Sequence, residues 1–366
     1  MVGGVIDTLP RRHFVAASAA LALPGCAATT PRIAPVALAC LPRVNVSADR
    51  VIRTVAGLRP YRAQGFVVRA EALGDKRLVH NYGHGGAGIT LSWGTARLAA
   101  DLGLPGHSGA VAVIGSGVMG LSTARLVQEA GFPVTIYTAA LPPDTTSNIA
   151  GGEWSPYGHF ERDAVTPEWR AQYRAARDYS WRRFQIMVGE DYGVRWLPVY
   201  AEGAPRAASP YRPGEQALAP GDHPFPVERV NRFETMFIET GRYLRQLIRD
   251  VQMAGGAVRI RKLADRAELA TLPETLIFNC TGLGSRAMLG DMDLRPARGQ
   301  LAVLAPQPDV RYAFTGNAGY MFPRPDGIIL GGTFELDQWS TAPVEADIAR
   351  ILASHRALFG GFHCPA

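Results

Sequence analysis

A glycine-rich turn between a short apolar run and a helical pattern constrains the fold of this chain most strongly. Residues 111–114 read Val-Ala-Val-Ile, which is typical of a buried parallel strand. A helical pattern over residues 121–130 and a second apolar run over 134–137 come after the turn. Such a turn lets a pyrophosphate approach the backbone and the N-terminus of the helix. The pattern predicts a Rossmann-type domain that binds a dinucleotide at Gly115, Ser116, Gly117, Val118, Met119 and Gly120.

The end of the second predicted strand departs from the usual pattern of this domain. An Asp or Glu commonly stands there and binds the ribose hydroxyls. Here residues 137–140 read Tyr-Thr-Ala-Ala, with Ala139 in place of the acid. Two alternatives stay open: other groups hold the ribose, or the adenosine half of the cofactor is bound more weakly.

Composition places the chain among ordinary globular proteins of about two domains, with 366 residues, 47% of them hydrophobic and 19% charged. The net charge of +6 is scattered and forms no basic run interleaved with aromatic residues. We therefore expect no nucleic-acid partner, and a mild preference for an anionic small substrate. The four cysteines are not spaced as metal ligands, so no metal site is predicted.

The first 26 residues resemble an export signal. Arg11 and Arg12 precede an apolar, alanine-rich stretch over residues 16–23, as in a twin-arginine signal. Residues 23–26, Leu-Pro-Gly-Cys, also resemble a lipobox in which Cys26 is lipidated. This pattern predicts export through the twin-arginine route to the periplasm, with a possible lipid anchor at Cys26. The alternative is an N-terminal helix of a cytoplasmic protein.

A longer segment resembles a known family. Residues 145–157, Thr-Thr-Ser-Asn-Ile-Ala-Gly-Gly-Glu-Trp-Ser-Pro-Tyr, are similar to the loop of D-amino-acid oxidases that wraps the FAD pyrophosphate. Residues 278–284, 298–300, 320–323 and 330–334 look like later segments of the same family. The resemblance implies FAD rather than NAD as the cofactor. The residues it implies for FAD binding in these segments are Thr145, Thr146, Ser147, Gly152, Glu153, Val258, Thr281 and Gly282.

Two further motifs occur in this chain in a different order from that of the family. Residues 57–62, Gly-Leu-Arg-Pro-Tyr-Arg, and residues 80–90, His-Asn-Tyr-Gly-His-Gly-Gly-Ala-Gly-Ile-Thr, resemble the C-terminal region of the family, yet precede the glycine turn. The resemblance covers about residues 44–360 and implies a circular permutation. A predicted helix over 92–102 and a short connector over 103–110 would join the former chain ends. The new ends would fall between a helix over 344–358 and a strand near Val51.

This arrangement has a consequence for two cysteines. Cys40 and Cys364 flank the matching region at opposite ends of the chain, and the permuted order brings these ends together. In an oxidising periplasm the pair would form a disulfide. The alternative is two unrelated thiols.

The resemblance also implies the roles of the residues around the flavin. Arg59 matches the arginine that binds the substrate carboxylate through two parallel hydrogen bonds, and Tyr320 matches a tyrosine that helps to hold it. The Gly86 carbonyl would accept from the substrate amine. The loop residues expected at the flavin ring are Gly85, Gly86, Gly88 and Ile89, with Thr90 at the pyrimidine end.

Other residues of these motifs are expected to differ in role or to depart from the family. We interpret His80 and His84 as structural supports of the glycine loop. Gly316 stands where the family often carries a second tyrosine, and Glu153 replaces an apolar residue. Relatives selective for acidic substrates tend to carry arginine at the position of Phe334, so phenylalanine there favours neutral D-amino acids.

The predicted fold is α/β: a discontinuous Rossmann-type FAD-binding domain and an α+β substrate domain with a mainly antiparallel sheet, circularly permuted. The predicted function is FAD-dependent oxidative deamination of neutral D-amino acids by O2, with ammonia and hydrogen peroxide as products. The alternatives are a glycine, D-aspartate or other amine oxidase, and a catalytically silent periplasmic binding lipoprotein. The predicted boundaries are a signal over 1–25, a linker over 26–43, substrate segments over 44–79, 154–230 and 302–366, and FAD segments over 80–153 and 231–301.

Overall fold

The computed structural model describes residues 40–364, so the predicted signal and Cys26 lie outside the described residues. Its strands are β1 (Val51–Tyr61), β2 (Val67–Leu73), β3 (Lys76–Tyr82), β4 (Val111–Ile114), β5 (Val134–Thr138), β6 (Val194–Glu202), β7 (Gln216–Leu218), β8 (Val230–Ile238), β9 (Ala257–Ile260), β10 (Leu276–Asn279), β11 (Arg295–Leu304), β12 (Ala313–Gly316), β13 (Gly319–Arg324), β14 (Gly327–Gly331) and β15 (Glu335–Leu336). Its helices are α1 (Gly88–Gly103), α2 (Val118–Glu129), α3 (Thr146–Ile149), α4 (Pro167–Ile186), α5 (Thr240–Met253), α6 (Arg266–Ala270), α7 (Gly284–Leu289) and α8 (Glu345–Gly360).

One sheet has the doubly wound arrangement predicted from the glycine turn. Its six strands run in the order β2-β3-β10-β4-β5-β9, and all neighbours except β2 and β3 are parallel. Every residue of β4 and β10 is buried, as expected for central strands covered on both faces. The predicted strands over 111–114 and 134–137 are confirmed, and α2 begins three residues earlier than its pattern indicated.

The second sheet is mainly antiparallel, as predicted. Its strands follow the order β1-β11-β14-β13-β12-β6-β8-β7, and β15 also pairs with β11. The single parallel pair on this path joins β12 to β6. Helix α8 covers one face of this sheet and packs against β11, β13 and β14. The sheet carries β1 and β13, the strands that contain Arg59 and Tyr320.

The strand pairing shifts three of the predicted domain boundaries. Residues 67–79 belong to the nucleotide-binding sheet, because β2 folds back on β3 through a turn at Gly74 (φ +61°) and β3 runs parallel to β10. Residues 231–238 and 295–301 belong to the second sheet instead. There β8 pairs along its whole length with β6, and β11 pairs with β1.

Helix α1 runs back to the end of the nucleotide-binding sheet at which its parallel strands begin. The Arg77 side chain, at the beginning of β3, donates to the Gly103 carbonyl at 2.7 Å and to the Pro105 carbonyl at 3.0 Å. Residues 104–110 then lead directly into β4. The predicted helix over 92–102 and the short connector after it are confirmed.

The two ends of the described chain lie together beside α8. Arg356 Nε donates to the Val46 carbonyl at 3.2 Å, and the Cα atoms of Cys40 and Cys364 are 5.2 Å apart. This separation is within the usual range for a disulfide. Within residues 40–364, no helix combines the length and the apolar character needed to cross a bilayer.

Candidate active site

A cavity of about 920 Å³ runs from the nucleotide turn to the second sheet. Its walls are the turn after β4, the loop around α3, the glycine loop before α1, and strands β1 and β13. Of the residues predicted for the site, those that line it are Arg59, Gly85, Gly86, Gly88, Ile89, Gly115, Ser116, Gly117, Val118, Met119, Thr145, Thr146, Ser147, Gly152, Glu153, Thr281, Gly282 and Tyr320. Segments far apart in sequence thus meet around one space.

The nucleotide end of the cavity has the close packing that the glycine turn predicts. Gly115 has φ +107°, and a Cβ there would lie 2.7 Å from the Cys280 carbonyl oxygen. A Cβ on Gly120 would lie 1.9 Å from the Gly115 carbonyl oxygen, so this glycine lets α2 pack onto the turn without lining the cavity itself. Gly117 is the N-cap of α2 and provides no side-chain cap. Val118 and Met119 of its first turn line the cavity, so the N-terminal end of this helix fits a pyrophosphate.

Hydroxyl groups surround this turn. Ser147 Oγ accepts from the Val118 amide at 3.0 Å, which ties α3 to the start of α2. Thr145 Oγ1 donates to Asn148 within the same loop at 2.8 Å. On the opposite wall, Thr281 Oγ1 donates to Asn279 at 2.8 Å. These bonds hold both loops in place beside the anion-binding end of α2.

The adenosine end contains two basic residues that the sequence analysis missed. Arg261 and Lys262 follow β9 and line the cavity beside Ala139 and Ala140. The Arg261 amide donates to the Thr138 carbonyl at 2.8 Å, which fixes the backbone there. The sequence signal was a pair of basic residues directly after the short segment that contains Val258 and Ile260. These two side chains are the charged groups available where the ribose-binding acid is absent.

Arg59 points from β1 into the substrate end of the cavity. Its Nη1 donates to the Thr333 carbonyl at 3.0 Å, and its guanidinium lies 5.8 Å from the centre of the Phe334 ring. Thr333 is itself held by a hydrogen bond to Glu335. Burial would raise the pKa of Glu335, but hydrogen bonds from Arg298, Thr333 and Gln300 outweigh it and hold the pKa at about 2. Among the described residues, no Asp or Glu forms an ion pair with Arg59, so its charge is free for an anionic ligand.

Tyr320 closes the same end of the cavity from β13. Its ring stacks on Phe322 with centroids 4.5 Å apart. Gly331 of the neighbouring strand leaves room for it, because a Cβ there would lie 2.5 Å from the phenol oxygen. Burial raises the pKa of Tyr320, and the nearby Arg59 opposes that shift. The phenol therefore stays protonated near neutral pH and is available as a hydrogen-bond donor.

The glycine loop before α1 supplies bare backbone to the cavity. Gly83 and Gly85 have φ values of +82° and +53°, which favour glycine. A Cβ on Gly86 would come no closer than 3.6 Å to protein atoms, the nearest being Arg59 Cδ. Gly86 therefore lies next to Arg59 in the cavity wall, and the contact of its carbonyl with a substrate amine stays a prediction.

Two histidines lie beside this loop, and His84 also lines the cavity. His84 Nε2 is 2.9 Å from Thr95 Oγ1, its ring stacks on Phe66, and burial, with a smaller effect of His159, lowers its pKa to about 3. His80 is completely buried on β3, 3.4 Å from Glu71, and does not line the cavity. Both positions agree with a structural role.

Besides Gly120, two other predicted cofactor contacts do not line the cavity. The Thr90 hydroxyl donates to the Ser155 carbonyl at 3.1 Å and accepts from the Ser155 amide at 3.0 Å, so it fixes the loop after α3 instead of facing the flavin region. Val258 lies on β9, opposite Ile136 of β5, and packs against the hydrophobic core. For both residues, the motif gave the position in the chain but not the direction in which the side chain points.

Gly316 and Phe334, which the sequence motifs associated with the substrate, do not line the cavity. A Cβ on Gly316 would lie 2.5 Å from Glu202 Oε2, and Glu202 also binds the neighbouring Asn317 amide at 2.7 Å. The space of a second tyrosine is therefore filled by a carboxylate from β6. Phe334 is 53% exposed, packs edge-on against Tyr61, and does not line the cavity.

A Rossmann glycine turn and an antiparallel sheet that brings an unpaired arginine to the same cavity define an FAD-dependent oxidoreductase with a separate substrate-binding sheet. The chain belongs to the DAO family, described as FAD dependent oxidoreductase, whose model matches residues 10–102 and 110–365. The predicted family, the α/β fold class and the FAD cofactor are thereby confirmed, whereas the circular permutation stays a prediction.

Individual relatives agree with this assignment. A D-amino-acid oxidase from Streptomyces coelicolor is 33% identical over 275 residues, which cover 70% of this chain and 80% of the relative. A D-aspartate oxidase from Homo sapiens is 29% identical over 268 residues, covering 69% of this chain and 76% of the relative. Amino acid oxidases are thus among the proteins to which this chain is similar.

Solved structures show the same fold at low identity. An iminodiacetate oxidase from Chelativorans sp. matches with a TM-score of 0.54 and 17% identity, covering 69% of this chain and 79% of its own. A glycine oxidase from Bacillus cereus matches with a TM-score of 0.51 and 15% identity, covering 69% and 78%. These matches concern the fold alone.

Proposed function

We propose that this enzyme oxidises D-amino acids with neutral side chains to 2-oxo acids, with ammonia and hydrogen peroxide as the other products. The observation that carries the proposal is Arg59, a cation without a carboxylate partner in the described chain, beside Tyr320 in the FAD cavity. FAD, held at the glycine turn after β4, would supply the acceptor for a hydride from the substrate Cα, with O2 as the final electron acceptor. Water then replaces the nitrogen of the imino acid, so one O2 and one water are consumed per substrate.

The protein residues bind and orient the substrate. The Arg59 guanidinium binds the carboxylate through two parallel hydrogen bonds, and the Tyr320 hydroxyl donates a third. The Gly86 carbonyl accepts from the amine, next to the Arg59 side chain. Holding both groups fixes Cα and leaves one face of the substrate toward the glycine loop. This fixed orientation is the basis for selecting one stereoisomer.

The test is a visible spectrum of the FAD-loaded protein before and after anaerobic addition of D-alanine, D-methionine and their L forms. We expect a flavin band near ~450 nm that is bleached by the D isomers only. Peroxide release in air, one per substrate consumed, would support O2 as the acceptor. A flavin band that none of these compounds bleaches would contradict the proposed substrate class.

A second candidate is oxidation of glycine or another small amine in the same cavity. Gly316 in place of a second tyrosine, with its space taken by Glu202, removes one aromatic group expected at the substrate end. D-Aspartate is disfavoured, because Glu153 lines the cavity and would repel a second carboxylate. Adding glycine, sarcosine and D-aspartate to the same anaerobic titration separates these candidates.

We also propose that the chain is a circular permutant of its family. Three observations support the proposal: the family match is interrupted over residues 103–109, residues 104–110 connect α1 directly to β4, and the ends of the described chain lie together. A rearranged chain that begins near residue 108, continues to 362 and returns through a flexible linker to 44–104 should fold and bind FAD. A soluble rearranged chain without a flavin spectrum would argue against it.

The cellular location remains a proposal from the first 26 residues. We propose twin-arginine export, a lipid anchor at Cys26 and, in the oxidising compartment, a disulfide between Cys40 and Cys364. The Cα separation of 5.2 Å supports the disulfide. Fractionation of cells expressing the full chain, with mass spectrometry of the processed N-terminus, tests the first two parts. Recovery of the protein in the cytoplasm with intact residues 1–25 would contradict them.

A further inference from the structure

Glu153 brings a carboxylate into the substrate end of the cavity. Its backbone is fixed by a bridge to Phe237 of β8, and the preceding Gly152 accepts from the Ile238 amide at 2.8 Å. The side chain lines the cavity together with Tyr157 and Tyr320. Because the backbone is tied to the second sheet, the position of the carboxylate is set by the fold.

This carboxylate has no close partner in residues 40–364. It forms no ion pair and no side-chain hydrogen bond there, although Arg212 and Arg206 are near enough to influence its charge. Arg212 is already paired with Glu215 at 2.9 Å, and its guanidinium lies 3.7 Å from the centre of the Phe233 ring. Arg206 lies 5.0 Å over the Tyr157 ring. Both cations are therefore engaged elsewhere.

The surroundings of Glu153 favour a cationic ligand. Burial raises the pKa of Glu153 to about 7, and Arg212 and Arg206 only partly oppose this effect. A cation that entered the cavity would favour the ionised form and gain a charge-assisted hydrogen bond. Arg59 lowers the pKa of Tyr320 and Glu153 raises it, so both charged groups lie near this tyrosine. The cavity therefore presents a positive and a negative group in the neighbourhood of Tyr320. Their charges complement an anion and a cation on one ligand.

We propose that Glu153 binds a positively charged group at the end of the substrate side chain, so that basic D-amino acids are accepted and preferred over uncharged ones of equal length. The inference rests on the proposed function, with the substrate carboxylate on Arg59, and extends its substrate class. D-Lysine has the required charges, whereas D-norleucine has the same four-carbon side chain without the terminal ammonium.

The first experiment compares kcat/KM for D-lysine and D-norleucine at pH 8, where Glu153 is largely ionised. We expect the ratio of kcat/KM for D-lysine to kcat/KM for D-norleucine to fall about 10-fold or more in Glu153→Gln. Glu234→Gln is the matched control, because Glu234 pairs with Arg232 on β8 outside the cavity lining. An unchanged ratio in Glu153→Gln would overturn the inference. So would an equal loss for both substrates, which would place Glu153 at the α-amine.

The second experiment measures binding without turnover. 6-Aminohexanoate and hexanoate lack the α-amine and differ only in the distal cation, and both are titrated calorimetrically into the FAD-loaded protein. We expect 6-aminohexanoate to bind about 10-fold more tightly, and Glu153→Gln to abolish the difference. Equal Kd values in the unaltered protein would overturn the inference.

The two experiments separate the inference from the proposed function. Oxidation of D-norleucine with no preference for either cationic compound supports the proposed function and rejects the role of Glu153. Preferential binding of 6-aminohexanoate that depends on Glu153, without oxidation of any D-amino acid, supports the charge-selective site and rejects the proposed reaction.

Discussion

Gly299 of β11 lies directly beneath the guanidinium of Arg59. A Cβ at position 299 would come within 2.3 Å of both Nη1 and Nη2. The Gly299→Ala substitution should therefore displace the Arg59 side chain while leaving the strand pairing with Gly57 in place. We expect kcat/KM for the substrate to fall about 10- to 100-fold, mainly through KM, because a charge-assisted hydrogen bond contributes about 1.5–3 kcal/mol. Steady-state kinetics and an unchanged flavin spectrum check this outcome, and an unchanged KM would contradict it.

Replacing Arg59 distinguishes charge from geometry. Arg59→Lys keeps a positive charge but loses the paired donors that match a carboxylate, so we expect a loss of about 10-fold or more in kcat/KM. Arg59→Ala removes the charge too and should cost about 100-fold or more. Both variants should retain FAD, since the glycine turn that is expected to bind the FAD pyrophosphate lies elsewhere in the cavity. Equal activity of the lysine variant and the unaltered enzyme would show that bidentate binding is not used.

The packing of Gly120 against the nucleotide turn predicts a cofactor defect. In Gly120→Ala the new Cβ would lie 1.9 Å from the Gly115 carbonyl oxygen, so α2 must move away from the turn. We expect weakened FAD binding, by about 10-fold or more in Kd, together with lower stability. Gly241→Ala is the control, because its Cβ would approach nothing closer than 3.5 Å and should leave FAD affinity unchanged. Titration of the FAD-free protein with FAD measures both.

Glu153 also predicts a pH dependence of stability. Burial raises its pKa in the folded protein to about 7, from the ordinary value of 4.5. The folded state therefore binds a proton more tightly than the unfolded state, and this contribution to stability is lost as the pH rises from about 4.5 to 7. Glu153→Gln does not titrate, so its Tm relative to the unaltered protein should be higher at pH 8 than at pH 5. Equal Tm differences at the two pH values would contradict the raised pKa.

The two terminal cysteines give a redox-dependent prediction. If the Cys40–Cys364 bond forms, the Cys40→Ser, Cys364→Ser double variant should lose about 2–4 kcal/mol of stability under oxidising conditions. Under reducing conditions the variant and the unaltered protein should unfold alike. Tm measurements with and without a reductant provide the check, and a reductant-insensitive Tm of the unaltered protein would argue against the bond. Cys280 is buried and serves as the unaltered internal thiol.

Local sequence patterns were sufficient for the parts of the fold that depend on neighbouring residues. The strand over 111–114, the glycine turn and helix α2 follow from apolar periodicity and glycine placement, and all three are present. The sheet membership of residues 67–79 could not be read in this way. It depends on which strand pairs with β3, and β10 lies almost two hundred residues further along the chain.

For the candidate site, the directions of the side chains could not be predicted from the sequence. Thr90 belongs to a correctly placed motif, yet its hydroxyl is used by the Ser155 backbone. The role of Gly316 likewise depends on Glu202, which comes from a strand that the sequence gives no reason to place there. Arg261 and Lys262 reach the cavity because β9 lies next to β5. Such contacts arise from tertiary packing, which a local pattern does not contain.

The proposed disulfide between Cys40 and Cys364 would change the effect of a protease on this enzyme. With that bond formed, residues 40–364 become a covalent ring in which neither end is free to peel away from the sheet. A single cut in the loop between β6 and β7 would linearise the ring and release no fragment. The nicked molecule would keep its mass until the bond was reduced, so a gel without reductant would fail to reveal the cut.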